Sequence, residues 1–207
     1  APTVASLRRR GIRGEALVDA MVELGTSTSE VDLAMSSVYA ANRALIDDDT
    51  DRAFFVRDSD AFGGLVERAV VGGPDAGHPP LHPDFEDRGS RAIPADTVVV
   101  EGDDLPPEGD RVWLKGYGCV RHTGDAFEYV GEDITAVREE GVDVVHWAPA
   151  DGPELRLRTM DGDVTGVAEP GLVEYEPDDV VQFERIGFAR VDAVDRDGES
   201  VAYFAHP

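Results

Sequence analysis

Asp47-Asp48-Asp49-Thr50-Asp51-Arg52-Ala53-Phe54-Phe55-Val56-Arg57 is the stretch at which the chain changes character. Before it, apolar residues recur three and four positions apart; after it they alternate every second position. A short N-terminal helical region followed by many short strands is therefore expected, α+β in class and mainly β. Working back, Ala16, Leu17, Ala20, Met21 and Leu24 mark one face of a helix that Gly25 stops. Ser27 with Glu30 three positions on predicts a capping box. Val31, Met35, Val38, Tyr39, Asn42, Leu45 and Ile46 mark about one face of the next helix, which ends in the acidic run. The chain opens at Ala1-Pro2-Thr3 without methionine, as either a piece of a longer protein or a processed chain would.

Working forward, strand-like runs fall at 52–57, 97–101, 111–114, 126–130, 142–147, 155–160, 164–168, 180–188 and 200–205. The turn pairs Gly124-Asp125, Asp151-Gly152, Asp161-Gly162 and Asp197-Gly198 separate several of them. Residues 72–83, rich in Gly and Pro, read as a connecting loop, and 134–140 as a short helix. Short strands with evenly spaced turns predict one or two small antiparallel β-barrels. No internal repeat is visible in the sequence.

The 207 residues carry 43 Asp and Glu against 19 Lys and Arg, a net charge of −24, and Lys115 is the only lysine. With 42% hydrophobic residues the chain can still bury a core. This combination reads as a folded protein whose hydrated surface is adapted to multimolar salt, where charges are screened beyond about 3 Å; the alternative is an ordinary acidic protein with an acidic partner-binding face. No stretch approaches the roughly 20 apolar residues of a membrane-spanning helix, and no signal peptide is visible, so a reduced cytoplasmic setting is expected. Cys119 alone cannot form an internal disulfide. His78 and His82 are four apart, but Pro79 and Pro80 forbid a helix between them. Cys119 and His122 lack further ligands, and the run from Asp47 lacks the Gly and distal Glu of a calcium loop. Phosphate-cradling loops, nucleophile elbows and zinc-protease motifs are absent. No catalytic residue and no metal site is therefore expected.

Against so acidic a background the cations are informative. Arg8, Arg9 and Arg10 form the densest cluster, Arg52 and Arg57 flank one apolar strand, and Arg185 and Arg190 flank another. An arginine fork can contact phosphates or hydrogen-bond and stack on a base; the alternative is pairing with nearby carboxylates.

Five segments, in order over essentially the whole chain, resemble the region that follows the catalytic domain in archaeal glutamyl-tRNA and in glutaminyl-tRNA synthetases. They are Pro2-Thr3-Val4 through Leu7-Arg8-Arg9-Arg10-Gly11; Asp51-Arg52-Ala53; His82-Pro83 leading to Gly89-Ser90-Arg91; Val145-His146-Trp147; and Val181-Gln182-Phe183-Glu184-Arg185. The acidic composition is similar to that of a haloarchaeal member. The resemblance implies a class I parent enzyme that joins glutamate to tRNA with ATP and Mg2+. Both ATP-signature motifs of that class are missing here, so the chain is expected to hold no cofactor and to bind tRNA beside a separate catalytic domain. The implied layout is a helical segment over 1–51, a proximal barrel over 52–95 plus 176–207, and a distal barrel over 96–175.

The resemblance matches Arg52, Gln182 and Arg185 to three side chains that read the middle anticodon base, a uridine. Uridine offers two carbonyl acceptors and one imino donor; arginines supply donors and a glutamine amide supplies one of each. Because Gln182 and Arg185 are three apart, a regular strand would face them oppositely, so a bulge or strand end at 184–186 is expected, with Gly187 permitting it. Arg91, Arg8, Arg9 and Arg10 are lesser candidates for tRNA contact. A basic stretch of the glutaminyl enzymes is shortened here to 105–110, with Pro106 and Pro107. That puts third-base discrimination in doubt and favours a glutamyl enzyme binding tRNA-Glu; the alternative is one that accepts tRNA-Gln as well. The rival readings are the same region of a glutaminyl-tRNA synthetase, a stand-alone RNA-binding barrel of the 5S rRNA-binding type, and a protein-interaction module, the last of which would leave Arg52, Gln182 and Arg185 far apart.

Overall fold

The computed structural model describes residues 3–25 and 34–207; the expected Ser27–Glu30 capping box lies outside them. Three helices come first: α1 (Val4–Arg9), α2 (Gly14–Leu24) and α3 (Met35–Ile46). Thr3 and Ser6 cap α1 reciprocally through their side chains. Leu7, Ile12, Ala16, Ala20, Val38 and Ile46 are buried together with Phe188 and Ala205 of the β region. Met21, expected on the buried face, is 62% exposed beside exposed Val18 and Val22. The buried Asn42 amide ties the helices to the last strand: its oxygen accepts the Arg13 N–H at 2.8 Å and its nitrogen lies 3.0 Å from His206 Nε2.

The strands are β1 (Arg52–Ala53), β2 (Phe55–Asp58), β3 (Leu65–Val71), β4 (Ala76–Gly77), β5 (Ile93–Pro94), β6 (Thr97–Glu101), β7 (Arg111–Leu114), β8 (Gly118–His122) and β9 (Ala126–Gly131). After the short helix α4 (Thr135–Arg138) come β10 (Val144–Val145), β11 (Ala148–Pro149), β12 (Glu154–Thr159), β13 (Gly162–Ala168), β14 (Val180–Phe183), β15 (Gly187–Ala193) and β16 (Ser200–His206). One sheet runs β1-β14-β15-β16-β12-β13-β2 and the other β10-β7-β8-β9-β3-β6-β11. Only Phe54 separates β1 from β2, and only His146-Trp147 separates β10 from β11, so each sheet closes through its own bent strand. The result is two small barrels, as expected, on a short helical region.

The two barrels share one ladder. In each, half of the bent strand pairs parallel with the first strand of an antiparallel three-strand meander. The meander's last strand pairs parallel with an antiparallel pair, which returns to the other half of the bent strand. The sheets are thus mixed rather than purely antiparallel, and the duplication is visible only in three dimensions. The bent strand precedes its barrel in one case (residues 52–58) and follows in the other (144–149).

Two strand groups sit elsewhere than the implied layout put them. β3, within 52–95, pairs with β6 and β9 of the second barrel, and β12–β13, within 96–175, pair with β16 and β2 of the first. Alternation marks a strand but does not choose its distant partner. The run 180–188 is also broken at 184–186.

The barrels meet where their bent strands break. Ala53 and Phe55 enter the core of the first barrel, while Phe54, fully buried, enters that of the second and lies 6.2 Å from Trp147. Val56, Val99 and Ala148 fill the space between. Burying one such aromatic contributes about 1.5–3 kcal/mol, so the seam is a packed interface.

Candidate nucleic-acid interface

The turn between β14 and β15 shapes the site. β14 ends at Phe183, the Ile186 N–H donates to the Phe183 carbonyl at 3.0 Å, and Arg185 adopts φ 65°. A side-chain-bearing residue at positive φ costs about 1–2 kcal/mol, and such strain concentrates at functional positions. The expected strand end at 184–186 is present, and it frees Arg185 from the alternation that governs Gln182.

Arg52 and Gln182 are register partners in the parallel β1–β14 pair, so their side chains share a face. The buried Arg52 guanidinium donates to Asp47 Oδ1 at 2.8 Å and to the Thr50 carbonyl at 3.0 Å. Gln182 differs: its Oε1 is buried without a hydrogen-bond partner among the described residues. Leaving a buried acceptor unpaired costs about 1–3 kcal/mol.

Arg185 reaches towards the second barrel. Its guanidinium binds Asp104 through both terminal nitrogens, at 2.6 and 2.9 Å, and approaches His146 Nδ1 at 3.3 Å. Its side chain stays 45% exposed. The hydrogen bonds to Asp104 raise its pKa further, so it is always a cation. His146 is buried, with Nε2 3.6 Å from Glu101 Oε1 and no hydrogen-bond partner there among the described residues. Burial pushes the Glu101 carboxyl up, but His146 and then Arg57 outweigh it and hold it at about 2. Arg57 grips Glu101 at 2.6 and 2.9 Å. Both arginines of the expected trio thus hold carboxylates, as the alternative reading anticipated, and of the three only Gln182 presents an unmet group among the described residues.

Arg91 sits in the seam. Its Nε donates to both oxygens of Glu169, at 2.6 and 2.9 Å, and its guanidinium lies 4.8 Å from the Phe54 ring. Glu169 in turn accepts the Phe54 N–H at 2.7 Å, and burial pushes its carboxyl up against the pull of Arg91. With its side chain 10% exposed, Arg91 latches the two barrels rather than lining an open face. Arg10 is likewise internal, donating to the Phe204 and Ala205 carbonyls and to the Tyr39 hydroxyl. Arg8 and Arg9 remain at the surface.

Charge is divided unevenly. Residues 1–46 hold five arginines and five carboxylates; residues 47–207 hold 14 cations and 38 carboxylates. Among the described residues, Arg8, Arg9, Arg10, Arg13 and Arg43 make no carboxylate pair, whereas 12 of the 14 later cations do. Asp104 and Glu101 join the site without having been singled out; only His146 carried a signal, in the Val145-His146-Trp147 segment. Among the described residues no group of three or more His, Cys, Asp and Glu is arranged for a metal ion, and no helix is long and apolar enough to cross a membrane.

Two joined barrels with a helical entry thus carry a polar seam and, on the helices, arginines that make no carboxylate pair among the described residues. Residues 144–192 match the family model of tRNA synthetases class I (E and Q), anti-codon binding domain, and the whole chain aligns with part of glutamate–tRNA ligases. Its whole length is 79% identical to a glutamate–tRNA ligase of Haloarcula marismortui and 64% identical to one of Natronomonas pharaonis. It is 37% identical over 99% of its length to one of Methanosarcina acetivorans. The chain spans 36%, 35% and 36% of those three proteins.

Proposed function

We propose that this chain is the tRNA-recognition part of a glutamate–tRNA ligase, binding the anticodon stem-loop of tRNA-Glu. The observation that carries the proposal is the buried Gln182 Oε1 beside Arg52, without a hydrogen-bond partner among the described residues. A uridine imino N–H supplies the donor that Gln182 lacks, and the uridine carbonyls take donors from the amide and from arginines. Arg185 joins by exchanging or sharing its Asp104 contact. Cytidine has no imino hydrogen at that position, so the same pocket rejects it.

Catalysis belongs to the parent protein. ATP and Mg2+ do not fit the residues here, which include neither a phosphate-cradling loop nor, among the described residues, a carboxylate cluster suited to a metal. The catalytic domain is the expected neighbour, in the cytoplasm, and exposed Val18, Met21 and Val22 on α2 offer it an apolar patch. The shortened 105–110 stretch favours tRNA-Glu over tRNA-Gln.

Fluorescence anisotropy of labelled tRNA-Glu anticodon stem-loop in about 2 M KCl, a salt level that suppresses nonspecific phosphate binding, tests this. Replacing the middle uridine by cytidine should weaken binding by about 1–3 kcal/mol. Equal binding of both RNAs would refute the base assignment.

A further inference from the structure

The shared ladder lets each position of one barrel be compared with its counterpart. Phe183 pairs with Gly187 as Leu114 pairs with Gly118, so Arg190 corresponds to Arg121. Arg190 pairs with Tyr203, which pairs with Arg158; Arg121 pairs with Glu128, which pairs with Val71. Side chains of register partners share a face, so the two rows are Arg-Tyr-Arg and Arg-Glu-Val. The second barrel closes its row with a carboxylate, as the acidic surface does almost everywhere. The first places a tyrosine there and gathers cations around it.

Three guanidiniums stand about the Tyr203 ring: Arg9 of α1 at 5.2 Å, and Arg158 and Arg190 at 5.6 Å each. They are not equivalent. Arg190 is 11% exposed, holds Asp178 and Asp192 at 2.6 and 2.5 Å, and donates to the Arg9 carbonyl, so it is satisfied and positions α1. Arg158 is 46% exposed, and its closest carboxylate, Asp163, is 4.0 Å away and shared with Arg156. Arg9 makes no carboxylate pair among the described residues. Arg158 Nη1 donates to the Tyr203 hydroxyl at 3.1 Å. That occupies an acceptor site of the hydroxyl and leaves its one hydrogen to donate elsewhere.

We infer that Arg9, Arg158 and the Tyr203 hydroxyl form a phosphodiester-binding site on the outer face of the first barrel, which holds the backbone of an RNA stem. Two arginine forks and one O–H converge there, matching the two non-bridging oxygens of a phosphodiester. The face is open at Arg158 and continues onto α1 through Arg9, and exposed Arg8, Arg13 and Arg43 of the helical region also make no carboxylate pair among the described residues, which suits a polymer rather than a free nucleotide. Because hydrogen bonds and stacking rather than counterion release fix the contact, it persists in concentrated salt. That the RNA is tRNA rests on the reading above.

The test is binding of a labelled full-length tRNA-Glu transcript to the 207-residue chain in about 2 M KCl, a level at which nonspecific phosphate binding is suppressed. The transcript carries uridine or cytidine at the middle anticodon position. Arg9→Gln/Arg158→Gln should weaken binding of the uridine transcript about tenfold or more, and Tyr203→Phe, which keeps the ring, about three- to tenfold. The uridine preference should be unchanged in both, and so should the melting temperature of Tyr203→Phe. Variants that bind as the parent chain does would overturn the site, whatever the base preference. A parent chain without uridine preference whose variants still lose affinity would sink the base pocket and leave the backbone site standing. Competition by millimolar inorganic phosphate in 2 M KCl would overturn the backbone assignment in favour of a small-anion site.

Discussion

The first and second barrels are built on the same ladder and differ in what they place on it. At the tip of the first meander turn the first barrel has Arg185 and the second has Gly116, both in the left-handed region at φ 65° and 71°. Gly116 is there for packing: a Cβ would lie 2.5 Å from the Pro79 nitrogen. Arg185 pays a conformational cost at the same place to carry a guanidinium towards the seam. The register pairs Arg52–Gln182 and Val144–Trp113 differ in the same sense, polar in one barrel and apolar in the other. A shared backbone with divergent side chains separates what the fold requires from what the proposed recognition would require.

The largest expected effect comes from salt. Residues 47–207 carry the whole net charge of −24, and unscreened repulsion among them should unfold both barrels in dilute buffer. Circular dichroism followed from about 2 M KCl downward, over which the Debye length grows severalfold, reads this directly; a melting temperature indifferent to KCl would contradict the salt-adapted reading.

Next is the latch at the seam. Arg91→Ala leaves Glu169 buried and unpaired, at a cost of about 3–5 kcal/mol, whereas replacing both partners by leucine should cost far less. Chemical denaturation in high salt compares the two, and equal losses would mean that the pair does not act as a unit.

The turn tips sharpen the comparison further. Gly116→Ala should cost about 2–3 kcal/mol through its contact with Pro79. Arg185→Gly should leave stability nearly unchanged, since relief of the positive φ offsets loss of the Asp104 pair, yet weaken RNA binding by about 1–3 kcal/mol. A strongly destabilised Arg185→Gly chain would assign that arginine to the fold.

A smaller effect is confined to acid. The Glu101 carboxyl lies at about 2 in the fold against an ordinary 4.5. Its contribution, up to about 3 kcal/mol, is complete above the ordinary value and is lost as pH falls from there through 2. The stability difference between the parent chain and Glu101→Gln should therefore shrink between pH 5 and 2, as followed by denaturant titration at each pH; a constant difference would remove Glu101 from the acid response.

Much of this was legible in the sequence, and the failures have a common cause. The change from helical to alternating pattern at Arg52 and the turns at Gly124-Asp125 and Asp161-Gly162 were readable because they are local. The strand at Leu65–Val71 went unlisted because it is only half buried and pairs with two distant strands. Membership of β12 and β13 in the first barrel depends on partners some 45 to 110 positions away. At the site, Arg52, Gln182 and Arg185 stood out by resemblance, but their partners did not: among 43 carboxylates any arginine has a candidate, so Asp104 could not be chosen from spacing. Tyr203 carried no signal at all until its row could be compared with Arg121-Glu128-Val71.

The most direct test of the account is a double-mutant cycle between Gln182→Ala and the change of the middle anticodon uridine to cytidine, read as stem-loop affinity in about 2 M KCl, where the nonspecific phosphate contribution is suppressed. The account predicts a coupling of about 1–3 kcal/mol, because each change removes the same hydrogen bonds. Strict additivity of the two changes would show that Gln182 does not read that base.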